Sequence, residues 1–232
     1  MRQLGPQDEQ ASSQVQQTSS QVQQAVNDLK AHAEVAILCG GLGKRLGGVQ
    51  KGAIVHQGSR LIDRLSLLGQ QLGTRILWVE KTSNLLPDPY GFVDQRLTDD
   101  ALGGMAGAII TALKASKSEW LWVFACDLPL LEVHHLGSLA QQALNAVNSC
   151  QGCAFTEKGR PQPLSALWRT NCHEELSQYI QNGGSLSRFL STHGALIPLE
   201  PGNMIKRQGF TLSPLFNLNT PDDLQVLKRL QS

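Results

Sequence analysis

The 232-residue sequence predicts a three-layer α/β domain with a mostly parallel sheet. Three observations lead there. From Glu34 onward, short β-rich runs alternate with amphipathic helical stretches. One run, WLWVFAC at 120–126, is apolar without alternation, as a strand buried on both faces requires. A hydrophobic content of 41% against 17% charged residues supplies the core of one compact domain.

Residues 1–31 differ in kind from the rest of the chain. Nine of the first 24 residues are Gln, and SSQVQQ at 12–17 recurs at 19–24. Val15, Val22, Val26 and Leu29 draw only a thin helical stripe, and two heptads fall short of the roughly three or four that argue for a coiled coil. The segment therefore reads as a polar, mobile tail ahead of a domain spanning 32–232. VAILC at 35–39 predicts the first strand, LIDRLSLLGQQL at 61–72 a crossover helix, and RILWVE at 75–80 the second strand. A helical pattern at 105–115 precedes the buried run at 120–126, and helix-like residues 132–147 follow it. The last third predicts a strand at 164–168, helical patches near 173–182 and 185–192, and a terminal helix. That helix opens on Thr220 as N-cap, with Pro221 at its first position and Asp223 at its third.

Charge and cysteine usage narrow the function classes. Twenty Lys and Arg against nineteen Asp and Glu leave a formal net charge of +1, so no bulk field points to nucleic acid or membrane, and any anion site must be local. No window reaches the ~18 to 20 apolar residues of a bilayer span, and MRQLGPQDEQASSQ lacks the apolar centre of a secretory signal, so a cytoplasmic protein is expected. The five cysteines are odd in number and argue against a disulfide framework. Cys150 and Cys153 form a C-x-x-C with no second ligand pair at zinc spacing, so neither a redox nor a metal role is expected of them. His134, His135 and the remaining histidines read as surface or satisfied polar residues, and Trp78, Trp120, Trp122 and Trp168 as core.

The chemistry concentrates where the first strand ends. Residues 40–51 hold five glycines and three cations. Glycines let backbone N–H groups converge on an anion while Lys and Arg supply compensating charge, which suits a polyphosphate. Counting rejects two familiar loops. A P-loop ending at Gly43-Lys44 needs Gly where Leu38 stands and Ser or Thr where Arg45 stands. A dinucleotide fingerprint from Gly41 through Gly43 needs Gly at Leu46.

LCGGLGKRLGGVQK at 38–51 resembles the L-A-G-G-x-G-x-R-M-G-G-x-D-K loop of the molybdenum cofactor guanylyltransferases, the MobA family. The resemblance recurs at Asp94 with Leu102-Gly103-Gly104-Met105-Ala106-Gly107, at Ala125-Cys126-Asp127-Leu128-Pro129, and at Phe216 to Leu224, close to F-x-N-x-N-T-P-E-D-L. It covers about residues 34–231. It implies a Rossmann-like nucleotidyltransferase fold of three α/β/α layers, with GMP passed from GTP to the phosphate of molybdopterin and pyrophosphate released. By that resemblance Arg45, Lys51 and Asp127 serve catalysis, and Asp127 holds Mg²⁺. Leu38, Cys39, Gly40, Gly41, Gly43, Lys51, Asp94, Gly103 and Asp127 bind nucleotide, while Asn217 and Asn219 face the acceptor or the metal. GTP and the molybdopterin cofactor are the expected partners, together with cofactor-delivery proteins or molybdoenzymes.

Rival readings stand beside these. Asp127 could be a strand-end cap, Asp94 a turn residue, and the two asparagines props for the turn into the last helix. The chain departs from the family pattern at Gln50, Glu80, Gly104 and Gln162-Pro163. Glu80 replaces an Asn that contacts the nucleotide; a carboxylate accepts from guanine N1 and N2 but cannot donate to O6. A different base, a sugar phosphate or cobinamide phosphate acceptor, or a nucleotide-binding protein without turnover are the alternatives.

Overall fold

The computed structural model describes residues 20–40, 42–81, 86–98, 103–199, 204–207 and 209–230. A helix over residues 20–30, α1, leads into strand β1 (Ala33–Leu38). Two small hairpins follow, β2 (Leu42–Gly43) with β3 (Val49–Gln50) and β4 (Val55–His56) with β5 (Ser59–Arg60), ahead of α2 (Leu61–Leu72) and β6 (Ile76–Glu80). Next come β7 (Gln95–Thr98), α3 (Gly104–Ala115), β8 (Trp120–Ala125), α4 (Gly137–Leu144), β9 (Gly152–Glu157) and β10 (Arg160–Arg169). Helices α5 (His173–Gln181) and α6 (Leu186–His193), β11 (Ala195–Pro198), the hairpin β12 (Ile205–Arg207) with β13 (Phe210–Leu212), and α7 (Pro221–Arg229) complete the chain order.

Seven strands form the central sheet in the order β11-β9-β10-β8-β1-β6-β7. Only β10 runs antiparallel to its neighbours β8 and β9. The remaining pairs, β1 with β6 and β8, β6 with β7, and β9 with β11, are parallel. Strand β1 is flanked by β6 on one side and β8 on the other, so the chain leaves the sheet centre in opposite directions there. Such a switch point opens a crevice at the carboxyl ends of the strands.

Alternation along the buried strands assigns the layers. Val35, Ile37, Trp122 and Phe124 face one core, built with Val26 and Leu29 of α1, Ile62 and Leu65 of α2, and Leu139 of α4. Ala36, Leu38, Leu121 and Val123 face the other, with Ile109 and Leu113 of α3, Leu176 of α5 and Phe189 of α6. All six residues of β8 are buried, as its unbroken apolar run requires. Trp78 donates its indole N–H to Ser66 Oγ at 3.2 Å, which ties β6 to α2.

Three sequence expectations change here. The mobile tail drawn through residue 31 is helical over 20–30, and Ala25, Val26 and Leu29 are buried. Helix-like residues 132–147 divide into a 3-10 turn at Val133–His135 and α4. The strand expected at 164–168 is the second half of the longer β10, whose pairing with β9 shifts register between Pro161 and Ala166. The two prolines near its start remove ladder donors and disguise the first half in the sequence.

Candidate active site

The carboxyl ends of β1, β6 and β8 border a cavity of about 410 Å³. Its wall includes Leu38, Gly40, Lys51, Val79, Glu80, Asp127, Asn217 and Asn219. Lys51 leaves a 3-10 turn (Lys51–Ala53) and places its ammonium 2.7 Å from Asp127 Oδ2 and 2.6 Å from Asn219 Oδ1. The Lys51 and Asp127 side chains are only 15% and 11% exposed, so this ion pair is shielded from most of the solvent that weakens surface pairs.

Local structure explains the convergence. Gly52 is buried against Leu86, Ile62 and Cys126; an added Cβ would lie 2.8 Å from Leu86 Cδ1 and 3.3 Å from Ile62 Cβ, so glycine lets the turn press onto the sheet without displacing them. Asp127 follows the end of β8, and its carbonyl accepts the Leu218 N–H at 3.0 Å, fastening the 217–219 segment beside it. Thr220 caps α7 by accepting the Asp223 N–H, and Asp223 Oδ2 accepts the N–H groups of both Thr220 and Asn219, at 2.7 and 2.9 Å. The capping box thus also fixes the Asn219 backbone, through Asp223.

Asp127 Oδ1 is buried without a hydrogen-bond partner among the described residues. A hard cation prefers such an oxygen, and Mg²⁺ is commonly held by one or two carboxylates with the rest of its shell drawn from phosphate and water. Among the described residues no group of three or more His, Cys, Asp or Glu is placed to hold a metal. The free Asp127 oxygen fits an ion that takes the rest of its shell from a triphosphate and water.

The other expected residues divide. Leu38 and Gly40 line the cavity, as do Asn217 and Asn219. Asn217 also donates to the Leu215 carbonyl at 3.0 Å, so it braces its own turn. Arg45 is exposed on a 3-10 turn (Lys44–Leu46) and stands outside the cavity wall. Gly43 is buried in β2, where a Cβ would meet the Val49 carbonyl oxygen at 2.7 Å; hairpin closure, rather than cavity contact, demands this glycine. Gly47 and Gly48, with φ of 75° and 82°, turn the chain back. Gly103 adopts φ of 66° ahead of α3 but lies outside the cavity wall, where Gly104 and Met105 stand instead. Gly41 lies outside the described residues.

Two more expected residues stand outside the cavity wall. Cys39 turns its side chain into the core and donates its N–H to the Val79 carbonyl at 2.8 Å. Asp94 lies at the wrong end of the sheet. Its carboxylate accepts the N–H of Ile76, the first residue of β6, at 2.8 Å, whereas the cavity borders the last residues of that strand. Asp94 is a turn residue. β7 ends at Thr98, and the acids after it in sequence, Asp99 and Asp100, lie outside the described residues.

Glu80 is at the cavity but already engaged. Its Oε1 accepts the Leu86 N–H at 2.8 Å and its Oε2 pairs with Arg96, which lies over the Trp78 ring. The carboxylate thereby anchors the chain beyond β6, a second duty alongside any contact with a base. Lys81, Val79, Ala108 and Leu164 are cavity residues that sequence reasoning missed. The position of Lys81 directly after a buried strand was the available signal. Burial pushes the Cys126 thiol up to about 12, and the neighbouring Asp127 charge adds to it, so this thiol stays protonated.

Residues 35–198 match the MobA-like NTP transferase domain. The chain belongs to that family. Relatives of this MobA-like chain include the molybdenum cofactor guanylyltransferase of Pseudomonas paraeruginosa, 31% identical over 192 residues and covering 81% of this chain and 90% of the relative. The molybdenum cofactor guanylyltransferase of Mesorhizobium japonicum is 29% identical over 207 residues, covering 84% and 95%. Among solved structures, molybdopterin-guanine dinucleotide biosynthesis protein A from Archaeoglobus fulgidus superposes with a TM-score of 0.66 at 22% identity, over 85% of this chain and 98% of that one. The 2-C-methyl-D-erythritol 4-phosphate cytidylyltransferase of Thermus thermophilus gives 0.59 at 14% identity, over 85% and 97%. At those identities the superpositions speak for the shared Rossmann-like nucleotidyltransferase fold. Among the described residues no helix is long and apolar enough to cross a membrane.

Proposed function

We propose that this MobA-like chain transfers GMP from GTP to the terminal phosphate of the molybdopterin cofactor, forming molybdopterin guanine dinucleotide and pyrophosphate. The observation that carries the reading is the cluster of Lys51, Asp127 and Asn219 at the carboxyl edge of the sheet, beside the glycine-rich loop. It sits in a family whose curated relatives are named for this reaction.

In this reading an oxygen of the acceptor phosphate attacks the α-phosphorus of GTP, the bond to the bridging oxygen breaks, and pyrophosphate leaves with the electron pair. The nucleophile is already an anion at neutral pH, so no side chain needs to remove a proton. The cavity wall accordingly holds no histidine among the described residues. Lys51 exchanges its Asp127 and Asn219 partners for phosphate oxygens and balances the charge that develops on the leaving group. Asn219 and Asp127 hold the Lys51 ammonium in place until the triphosphate arrives, and Asp127 would then hold Mg²⁺ through its carboxylate oxygens. That ion, when bound, neutralises phosphate charge. Apolar walls at Val79, Ala108 and Leu164 offer a dry surface for the flat faces of a base. A delivery protein or molybdoenzyme that passes the cofactor on is the macromolecular partner this chemistry calls for.

The test is pyrophosphate release measured with molybdopterin as acceptor and GTP, CTP or ATP as donor in the presence of Mg²⁺. Release with GTP at least tenfold above the other donors is expected. Release without molybdopterin dependence, or GTP binding without turnover at saturating acceptor, would refute the assignment.

A further inference from the structure

The C-x-x-C pair lies far from the nucleotide cavity and has no part in the reaction above. Cys153 is the second residue of β9, fully buried, and its Cα pairs with Leu167 of β10 and Ala195 of β11. Strand β9 runs parallel to β8, since both are antiparallel to β10. Its start therefore lies at the amino edge of the sheet, opposite the cavity. Cys150 precedes it, partly exposed and packed against the core that contains Cys153.

Backbone bonds hold this segment in place. Cys150 donates its N–H to the Val147 carbonyl at 2.9 Å, and its own carbonyl accepts from Arg169 Nε at 3.0 Å. Gln151 donates to the His193 carbonyl at 2.7 Å and accepts from the Arg169 N–H at 3.0 Å. The chain is thereby bent so that the Cys150 side chain packs against the core that holds Cys153, three residues on. The Cys150 thiol donates to the Gly152 carbonyl at 3.3 Å.

We propose that Cys150 and Cys153 are an oxidisable dithiol, a modification site that reacts with small disulfides of the glutathione class and closes to an intramolecular disulfide. The proposal goes beyond the nucleotidyl-transfer reading and does not rest on it. Cys150 is the attacking sulfur because it alone of the five is not buried. The neighbouring Cys153 thiol and the Arg169 cation hold its pKa below that of an ordinary thiol, against the opposing effect of burial. Its thiolate attacks one sulfur of the small disulfide, the S–S bond breaks, and one thiolate leaves. Cys153 then attacks the Cys150 sulfur and expels the second thiolate. The two cysteines give up two electrons and two protons, and the oxidant gains them as two thiols.

The full-length chain, incubated at pH 7 with excess glutathione disulfide, acid-quenched and mapped by peptide mass spectrometry after alkylation in denaturant, tests this. The wild type is expected to lose two of its five thiols, with residues 150 and 153 joined within one peptide. Cys153→Ser, and Cys153→Ala as a second version, should stop at a glutathione adduct on Cys150. Cys150→Ser should react at least tenfold more slowly. A wild-type adduct that never closes, modification of Cys39, Cys126 or Cys172 at a rate matching Cys150, or retention of all five thiols would overturn the proposal.

Discussion

Replacing Lys51 by alanine tests the site most directly, because it perturbs folding and nucleotide binding through separate contacts. In the ligand-free protein the ammonium makes bonds of 2.7 and 2.6 Å to Asp127 and Asn219. Asp127 Oδ1 already lacks a partner, so Lys51→Ala leaves both oxygens of a largely buried carboxylate unpaired. An unsatisfied buried group costs about 1–3 kcal/mol, and that loss of stability should appear as a lower urea midpoint with unchanged slope. Adding Asp127→Asn removes the stranded charge, so the double variant should recover at least ~0.5 kcal/mol relative to additivity. Nucleotide binding responds separately. A charge-assisted hydrogen bond to phosphate contributes about 1.5–3 kcal/mol, which converts to roughly 10- to 150-fold weaker binding of Mg-GTP by titration calorimetry. A folded Lys51→Ala protein that binds Mg-GTP within about twofold of wild type would refute the placement of the triphosphate.

Further expectations rest on the same geometry. Asp127→Asn should lower kcat by at least ~100-fold while changing GTP affinity less than ~10-fold, because charge on the leaving pyrophosphate peaks in the transition state; equal losses in both would contradict its role. Asp94→Ala should leave the GTP Kd and kcat within about twofold and cost only stability, since its carboxylate serves the Ile76 N–H. Gly52→Ala forces a methyl to within 2.8 Å of Leu86 and should cost ~1–3 kcal/mol, together with a raised KM for GTP as Lys51 is displaced. Burial lowers the pKa of His56 and of His135 from 6.5 to about 4, so each ring is neutral in the fold and charges more readily when unfolded. Their contribution is present above about pH 6.5 and is lost as the pH falls toward 4. Urea denaturation at pH 7 and pH 5 should therefore show lower stability at pH 5, and equal midpoints would dismiss the two rings as the cause.

The sheet's centre was legible in the sequence because burial leaves an unmistakable mark there. Strand β8 has no polar residue to alternate, and β1 runs straight into the glycine loop. Asp127 was legible for the same reason, as an acid directly after a buried strand. The Thr220 cap was readable from its side-chain chemistry, although the hold of Asp223 on the Asn219 backbone was not. What escaped depended on contacts distant in sequence. Cys39 follows β1 as closely as Gly40 does, but its N–H is taken by Val79 across the sheet. Asp94 precedes a glycine turn as an acid should, yet β7 intervenes and puts Asp94 at the strand's beginning. Strand β10 hides behind Pro161 and Pro163 and reverses direction between two strands that run alike. Helix α1 escaped because Ala25 was left out of its stripe: Val22, Ala25, Val26 and Leu29 follow the i, i+3, i+4, i+7 rhythm of a single buried face.

That helix alters what counts as the smallest working piece of this protein. Val22 occupies the hollow above Gly137 so closely that a methyl there would sit 2.2 Å from its Cγ1. A fragment trimmed to begin at residue 35, where the family match starts, would keep the whole cavity wall. It would also wet the apolar floor on which Ala25, Val26 and Leu29 rest. Such a fragment would carry intact chemistry on a sticky flank, so its failure in solution would say nothing about its reaction.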